Sequence, residues 1–146
     1  MSQCNRKNTA KAFIKGSDMY PDIHGEVSFC QGNNSVLIHA QIFGLPQNDS
    51  GFYGFHIHEG TNCGNNFSNT GGHFNPEKKP HPLHDGDLPP LMSCNGNAFM
   101  TVKTDRFRIM DIADRTVVIH FKPDDFRTQP SGDSGEKIAC GIIVAE

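Results

Sequence analysis

Arg115-Thr116-Val117-Val118-Ile119-His120 is a nearly unbroken β-branched run that ends in a histidine. Branched side chains on consecutive positions fit a strand covered on both faces, so this run belongs at the centre of a sheet. Along the whole chain, alternation of apolar and polar residues predicts strands over Thr9 to Lys15, Glu26 to Cys30, Val36 to Phe43, Phe52 to His58, Ala98 to Thr104, Thr116 to Phe121 and Ile138 to Ala145. An eighth is expected within Asp87 to Ser93, held to an edge or a strand entrance by Pro89-Pro90. The turns GNN (32–34), LPQNDSG (45–51) and NGN (95–97) have the Gly/Asn character that closes hairpins. Only Arg106 to Asp114 offers a short helical turn, so no βαβ crossover is available and the chain reads as an antiparallel sandwich or flattened barrel.

The 146 residues fit one domain spanning 1–146, and 15 glycines with 9 prolines are more punctuation than a helical bundle tolerates. A net charge of -3 provides no basic field, so neither a nucleic acid nor a membrane partner is expected. The first twenty residues hold no apolar run longer than Ala12-Phe13-Ile14, from which a cytoplasmic location is expected, export with a removed leader being the alternative. Cys4, Cys30, Cys63, Cys94 and Cys140 form an odd set without CxxC spacing, which argues against both a disulfide scaffold and a thiolate zinc knot. At most two pairs can form.

Two long polar segments, Gly60 to Gly86 and Lys122 to Lys137, interrupt the strand pattern, and loops of that length in a compact domain are commonly functional. Histidines decide what they do. Of eight, His56, His58, His73, His81 and His84 fall within 29 residues, and His120 ends the central strand. In Gly54-Phe55-His56-Ile57-His58-Glu59 the two imidazoles sit at i and i+2, on one strand face, while Phe55 and Ile57 take the other. One metal ion can therefore meet both rings. His120, central in a sheet, needs a partner for its ring nitrogens, which a metal would supply. His73, His81 and His84 with a carboxylate from Asp85-Gly86-Asp87 form a tetrahedral zinc set, while all-imidazole ligation on the strands suits Cu(II). Two adjacent sites of different character follow.

GFHIHEG (54–60), GGHFNP (71–76), HDGDLPPL (84–91), RTVVIHFKPDDF (115–126) and KIACGII (137–143) occur in the order found in the Cu/Zn superoxide dismutase family, which the chain resembles from about Ala10 to Val144. The resemblance implies an eight-stranded Greek-key β-sandwich with two long functional loops. It implies copper held by His56, His58, His73 and His120, zinc held by His73, His81, His84 and Asp87, and His73 bridging the two as an imidazolate. Asp124 corresponds to the carboxylate that links His56 to His81, and Cys63 and Cys140 to the family's disulfide. Cys4, Cys30, Cys94, His24 and His39 have no part in the pattern.

The implied activity is conversion of superoxide to dioxygen and hydrogen peroxide, with a homodimer as the expected assembly. The alternatives are a copper-binding or copper-delivery protein, or a zinc-only structural homologue, on the same fold. Departures from the family stand out in both loops. Only two residues separate His81 from His84, the 122–137 segment is short, and Lys137 stands where the family has an arginine. Lysine keeps the charge that draws the anion but loses the planar fork that orients it; Arg127 and Lys122 are further candidates for attraction.

Overall fold

A computed structural model describes residues 8–146. Its strands are β1 (Thr9–Gly16), β2 (His24–Gln31), β3 (Val36–Phe43), β4 (Phe52–Tyr53), β5 (Phe55–His58), β6 (Leu91–Met92), β7 (Ala98–Thr104), β8 (Thr116–His120) and β9 (Lys137–Ala145). The helical content is one short helix, α1 (Ile109–Ile112), and a 3-10 turn at Ser68–Thr70. Seven strands form one antiparallel sheet in the order β5-β8-β9-β1-β2-β3-β7, and β4 pairs with β6. Because β4 runs straight into β5 and β6 leads directly into β7, the short ladder links the two edges of the large sheet, giving a flattened barrel. The connections from β3 to β4 and from β7 to β8 cross between edges, so sequence neighbours are separated in the sheet as in a Greek key.

Alternation explains the core. Along β3, Val36, Ile38, Ala40 and Ile42 are buried and the residues between them face outward. Between β6 and β7 the chain turns at Asn95 and Gly96, both with positive φ (54° and 86°), under an isolated bridge from Cys94 to Asn97, the backbone that a two-residue turn matching sheet twist demands. All five residues of β8 are buried, as its β-branched composition predicts.

The expected strand Phe52 to His58 divides at Gly54 because the run changes partner there. Phe52 and Tyr53 pair with Met92 and Leu91, whereas Phe55 onward pairs with β8 from Ile119. This division makes nine strands of the expected eight runs. The eighth run is only Leu91–Met92, since pairing begins after Pro89-Pro90. Strand β2 starts earlier than expected, at His24, and β9 at Lys137.

Cys63 and Cys140 form a disulfide, tying the segment after β5 to β9. Cys30, which has no part in the family pattern, is disulfide-bonded as well. Cys94 is free and exposed, and Cys4 lies outside the described residues. Among the described residues no helix is long and apolar enough to cross a membrane.

Candidate metal centre

Strand β5 supplies the frame. Phe55 and Ile57 are in the hydrophobic core, so His56 and His58 face the other way, beneath the two long loops. On one edge β5 pairs with β8; on the other its backbone is satisfied by the 72–87 segment. The Ile57 carbonyl accepts from Phe74 N at 2.8 Å, Ile57 N donates to the Gly86 carbonyl at 2.9 Å, and Glu59 N donates to the Gly72 carbonyl at 2.9 Å. These contacts place His73 opposite His58 and Asp87 opposite His56. Glycine at 86 permits the approach, since a Cβ there would sit 2.2 Å from the Ile57 carbonyl oxygen.

His56, His58, His73 and His120 converge, as do His73, His81, His84 and Asp87, with the candidate ligand atoms of each set within 4.8 Å of one another. His73 belongs to both. The hydrogen bonds fix which ring nitrogen faces each centre. His58 Nδ1 donates to the Gly71 carbonyl at 2.9 Å and His120 Nδ1 to the Gly135 carbonyl at 3.2 Å, so in neutral rings both Nε2 atoms are bare lone pairs. They face each other at 3.2 Å, a repulsive arrangement that a shared cation converts into ligation. His56 Nε2 donates to Asp124 Oδ2 at 2.8 Å and His81 Nε2 to Asp124 Oδ1 at 2.7 Å. That leaves Nδ1 bare on each ring. His56 Nδ1, His73 Nε2 and His81 Nδ1 are buried with no hydrogen-bond partner. His81 Nδ1 lies 3.0 Å from Asp87 Oδ2 without being aligned to bond it, as two ligands aimed at a common point would be.

The two centres differ in donors. One offers four imidazole nitrogens; the other offers His73 Nδ1, His81, His84 and the Asp87 carboxylate, with His73 Nδ1 2.7 Å from Asp87 Oδ1. The first set suits Cu(II) and the second a tetrahedral zinc ion. Burial holds the rings of His56, His58 and His120 in the neutral, ligating form. It lowers His56 to about 4 and His120 to about 3, and it holds His58 well below its ordinary value. For Asp87, burial pushes the carboxyl up, but the His73 hydrogen bond and the three neighbouring rings outweigh it and the net shift is down. Asp124 is likewise lowered against the effect of burial, by its bonds to His56, His81 and the Phe126 amide.

Gly132 (φ 75°) lets the 122–136 loop pass this bridge, because a Cβ there would lie 2.0 Å from Asp124 Oδ1. Lys137, the first residue of β9 and paired with His120, donates from Nζ to Thr70 Oγ1 at 2.7 Å and to the Gly71 carbonyl at 3.0 Å. That carbonyl also accepts from His58, so the ammonium is anchored beside a ligand of the first cluster. Burial lowers the lysine's pKa. Lys122 is paired with Asp133 at 3.2 Å and Arg127 is exposed. Thr70, Gly132, Gln129 and Arg106 are not marked by the sequence pattern, because the hydroxyl of Thr70 meets a lysine 67 residues away and the others act on main chain or by close approach, none of which leaves a spacing signal.

Two clusters sharing one buried histidine, set between a β-barrel wall and two loops, are the donor sets of a protein able to hold two metal ions side by side. The family model described as copper/zinc superoxide dismutase (SODC) matches residues 23–143. Superoxide dismutase [Cu-Zn] 2 of Aquifex aeolicus is 33% identical over 138 residues, covering 84% of this chain and 80% of that protein. Superoxide dismutase [Cu-Zn] of Legionella pneumophila is 35% identical over 127 residues, covering 82% and 76%. The copper chaperone for superoxide dismutase of Homo sapiens is 30% identical over 136 residues, which is 84% of this chain but 48% of that protein. The chain belongs to the copper/zinc superoxide dismutase family, a family of enzymes whose cofactors are copper and zinc.

Proposed function

We propose that the protein disproportionates superoxide at a copper/zinc centre. Copper would be held by His56, His58, His73 and His120, and zinc by His73, His81, His84 and Asp87. The observation that carries this reading is the position of His73, whose two ring nitrogens face different clusters. Bound copper would supply one-electron chemistry between Cu(II) and Cu(I), with zinc a fixed positive charge beside the shared ring. Overall one superoxide is oxidised to dioxygen, while a second takes up that electron and two protons to become hydrogen peroxide.

The chain's residues handle protons and the anion. With Nδ1 engaged on the zinc side, His73 takes and returns a proton at Nε2, and water supplies the other. Lys137 attracts superoxide and, fixed by Thr70 and Gly71, presents its remaining N–H. Asp124 holds His56 and His81 in the tautomers that leave their ligating nitrogens bare.

The match to a copper chaperone favours copper delivery as the second reading. A delivery site must release its metal, whereas the rings of His56, His58, His73 and His120 are enclosed, at 0%, 2%, 8% and 3% exposure. A homodimer has a candidate face in Phe13, Ile142 and Val144, exposed neighbours on β1 and β9. Disulfides persist in oxidising compartments, so the Cys63–Cys140 bond weighs toward export over the cytoplasm.

The test is metal analysis of protein purified without added metals, coupled to superoxide consumption by the same sample. A copper and a zinc in each chain, with a rate that follows copper content, is the expected result. Zinc alone, or copper without turnover, would overturn the proposal. Histidine-bound Cu(II) also gives a blue-green absorption that zinc cannot.

A further inference from the structure

His81 and His84 come from a stretch with neither strand nor helix, and only Pro82 and Leu83 lie between them. Its backbone makes few bonds of its own: Leu83 N to the Pro80 carbonyl at 2.8 Å and Asp87 N to the His84 carbonyl at 3.1 Å. The His84 N–H is held within the stretch by Asp87 Oδ2 at 3.0 Å, and the main chain at both histidines is otherwise gripped from other parts of the fold. Gln129, in the loop before β9, accepts from His81 N at 2.8 Å through Oε1 and donates through Nε2 to the His81 carbonyl at 2.7 Å. The same Nε2 donates to the Arg127 carbonyl at 3.0 Å. Arg106, in the connection between β7 and α1, donates from Nη1 to the Pro82 carbonyl at 2.8 Å and to the His84 carbonyl at 3.1 Å.

Reciprocal bonding of one amide to both polar groups of a single residue fixes that residue's peptide in position and orientation. Gln129 and Arg106 are exposed, so neither contributes to the core. Their hydrogen bonds compete with water and add little to global stability, so the effect of these bonds is local. The position and orientation of the His81 and His84 main chain determine where the two rings point.

We infer that Gln129 is a positioning residue for His81, and that Arg106 serves His84 in the same way. Together they do from outside what a longer loop would do from within. This rests on reading the second cluster as a zinc site. Gln129→Met keeps the side-chain length and removes both bonds. Gln129→Glu keeps the acceptor for His81 N and sets an oxygen against the His81 carbonyl.

The experiment uses the full chain with copper held as Cu(I), which has no d–d bands. Zinc affinity is measured by chelator competition, and Co(II) placed in the zinc site reports ligand geometry by its visible bands. A change in an outer partner of a metal-binding histidine typically costs about 10–100-fold in affinity. Gln129→Met should therefore lose about tenfold or more and change the Co(II) bands, with the melting temperature of the metal-free protein nearly unmoved. Arg106→Ala should do the same, and Arg106→Lys should recover part of the loss. Wild-type affinity in Gln129→Met would overturn the inference, and so would weaker binding with unchanged bands. If the wild-type protein takes up no Co(II) or zinc at all, the zinc assignment falls, and this inference with it.

Discussion

Replacing Asp124 by alanine tests how the two halves of the centre are held. The substitution removes two acceptors at once, from His56 Nε2 at 2.8 Å and from His81 Nε2 at 2.7 Å, as well as the bond from Phe126 N. Each ring then loses the group that fixes its tautomer, and a loss of that kind costs about 10–100-fold in affinity, or about 1.4–2.7 kcal/mol. The two rings should not lose equally. His56 lies on β5, where its backbone is paired with Val118 on β8. His81 lies on a loop, with Gln129 as its remaining clamp. Zinc affinity should therefore fall toward the upper end, about 100-fold, and copper affinity by about tenfold or less. The assay is competition titration of each metal against a chelator, for wild type and variant. Unchanged zinc affinity, or a greater loss for copper than for zinc, would show that Asp124 does not hold the two rings in this way.

Three further outcomes are expected. Lys137→Glu should lower the second-order rate with superoxide about tenfold or more and reverse its dependence on ionic strength, because screening would then relieve repulsion; a variant matching the parent at low salt would remove Lys137 from substrate guidance. Cys63→Ser opens a link across 77 residues and should lower unfolding free energy by about 4.5 kcal/mol in the chain-entropy model, measured by denaturant titration; a loss under about 1 kcal/mol would contradict it. In the metal-free protein, burial lowers His56 from 6.5 to about 4 and His120 to about 3, so these rings bind fewer protons folded than unfolded. That contribution is fully present above pH 6.5 and is lost as pH falls toward 4 and then 3, and a denaturation midpoint flat over that window would contradict it.

Much of this was legible in the sequence, for physical reasons. Period-2 alternation marks β1, β3 and β7 because each has one face in the core. The H-x-H of β5 puts two rings on one face by strand geometry alone, and Asn95-Gly96 announces its turn. Other features depend on contacts between distant segments. The break at Gly54 reflects a change of pairing partner, which no local pattern encodes. Gln129 and Arg106 act on carbonyls and amides, and every residue carries those, so their partners cannot be read from residue identity. The use of Cys30 is set by what the fold brings near it, which the sequence pattern does not encode.

The central claim is that one ring serves two metals. The direct measurement is copper and zinc affinity, taken on the same preparation, for wild type and His73→Ala. Both affinities should fall together, since Nε2 faces the His56–His58–His120 set and Nδ1 faces His81, His84 and Asp87. A variant that loses one metal and holds the other with wild-type affinity would contradict it.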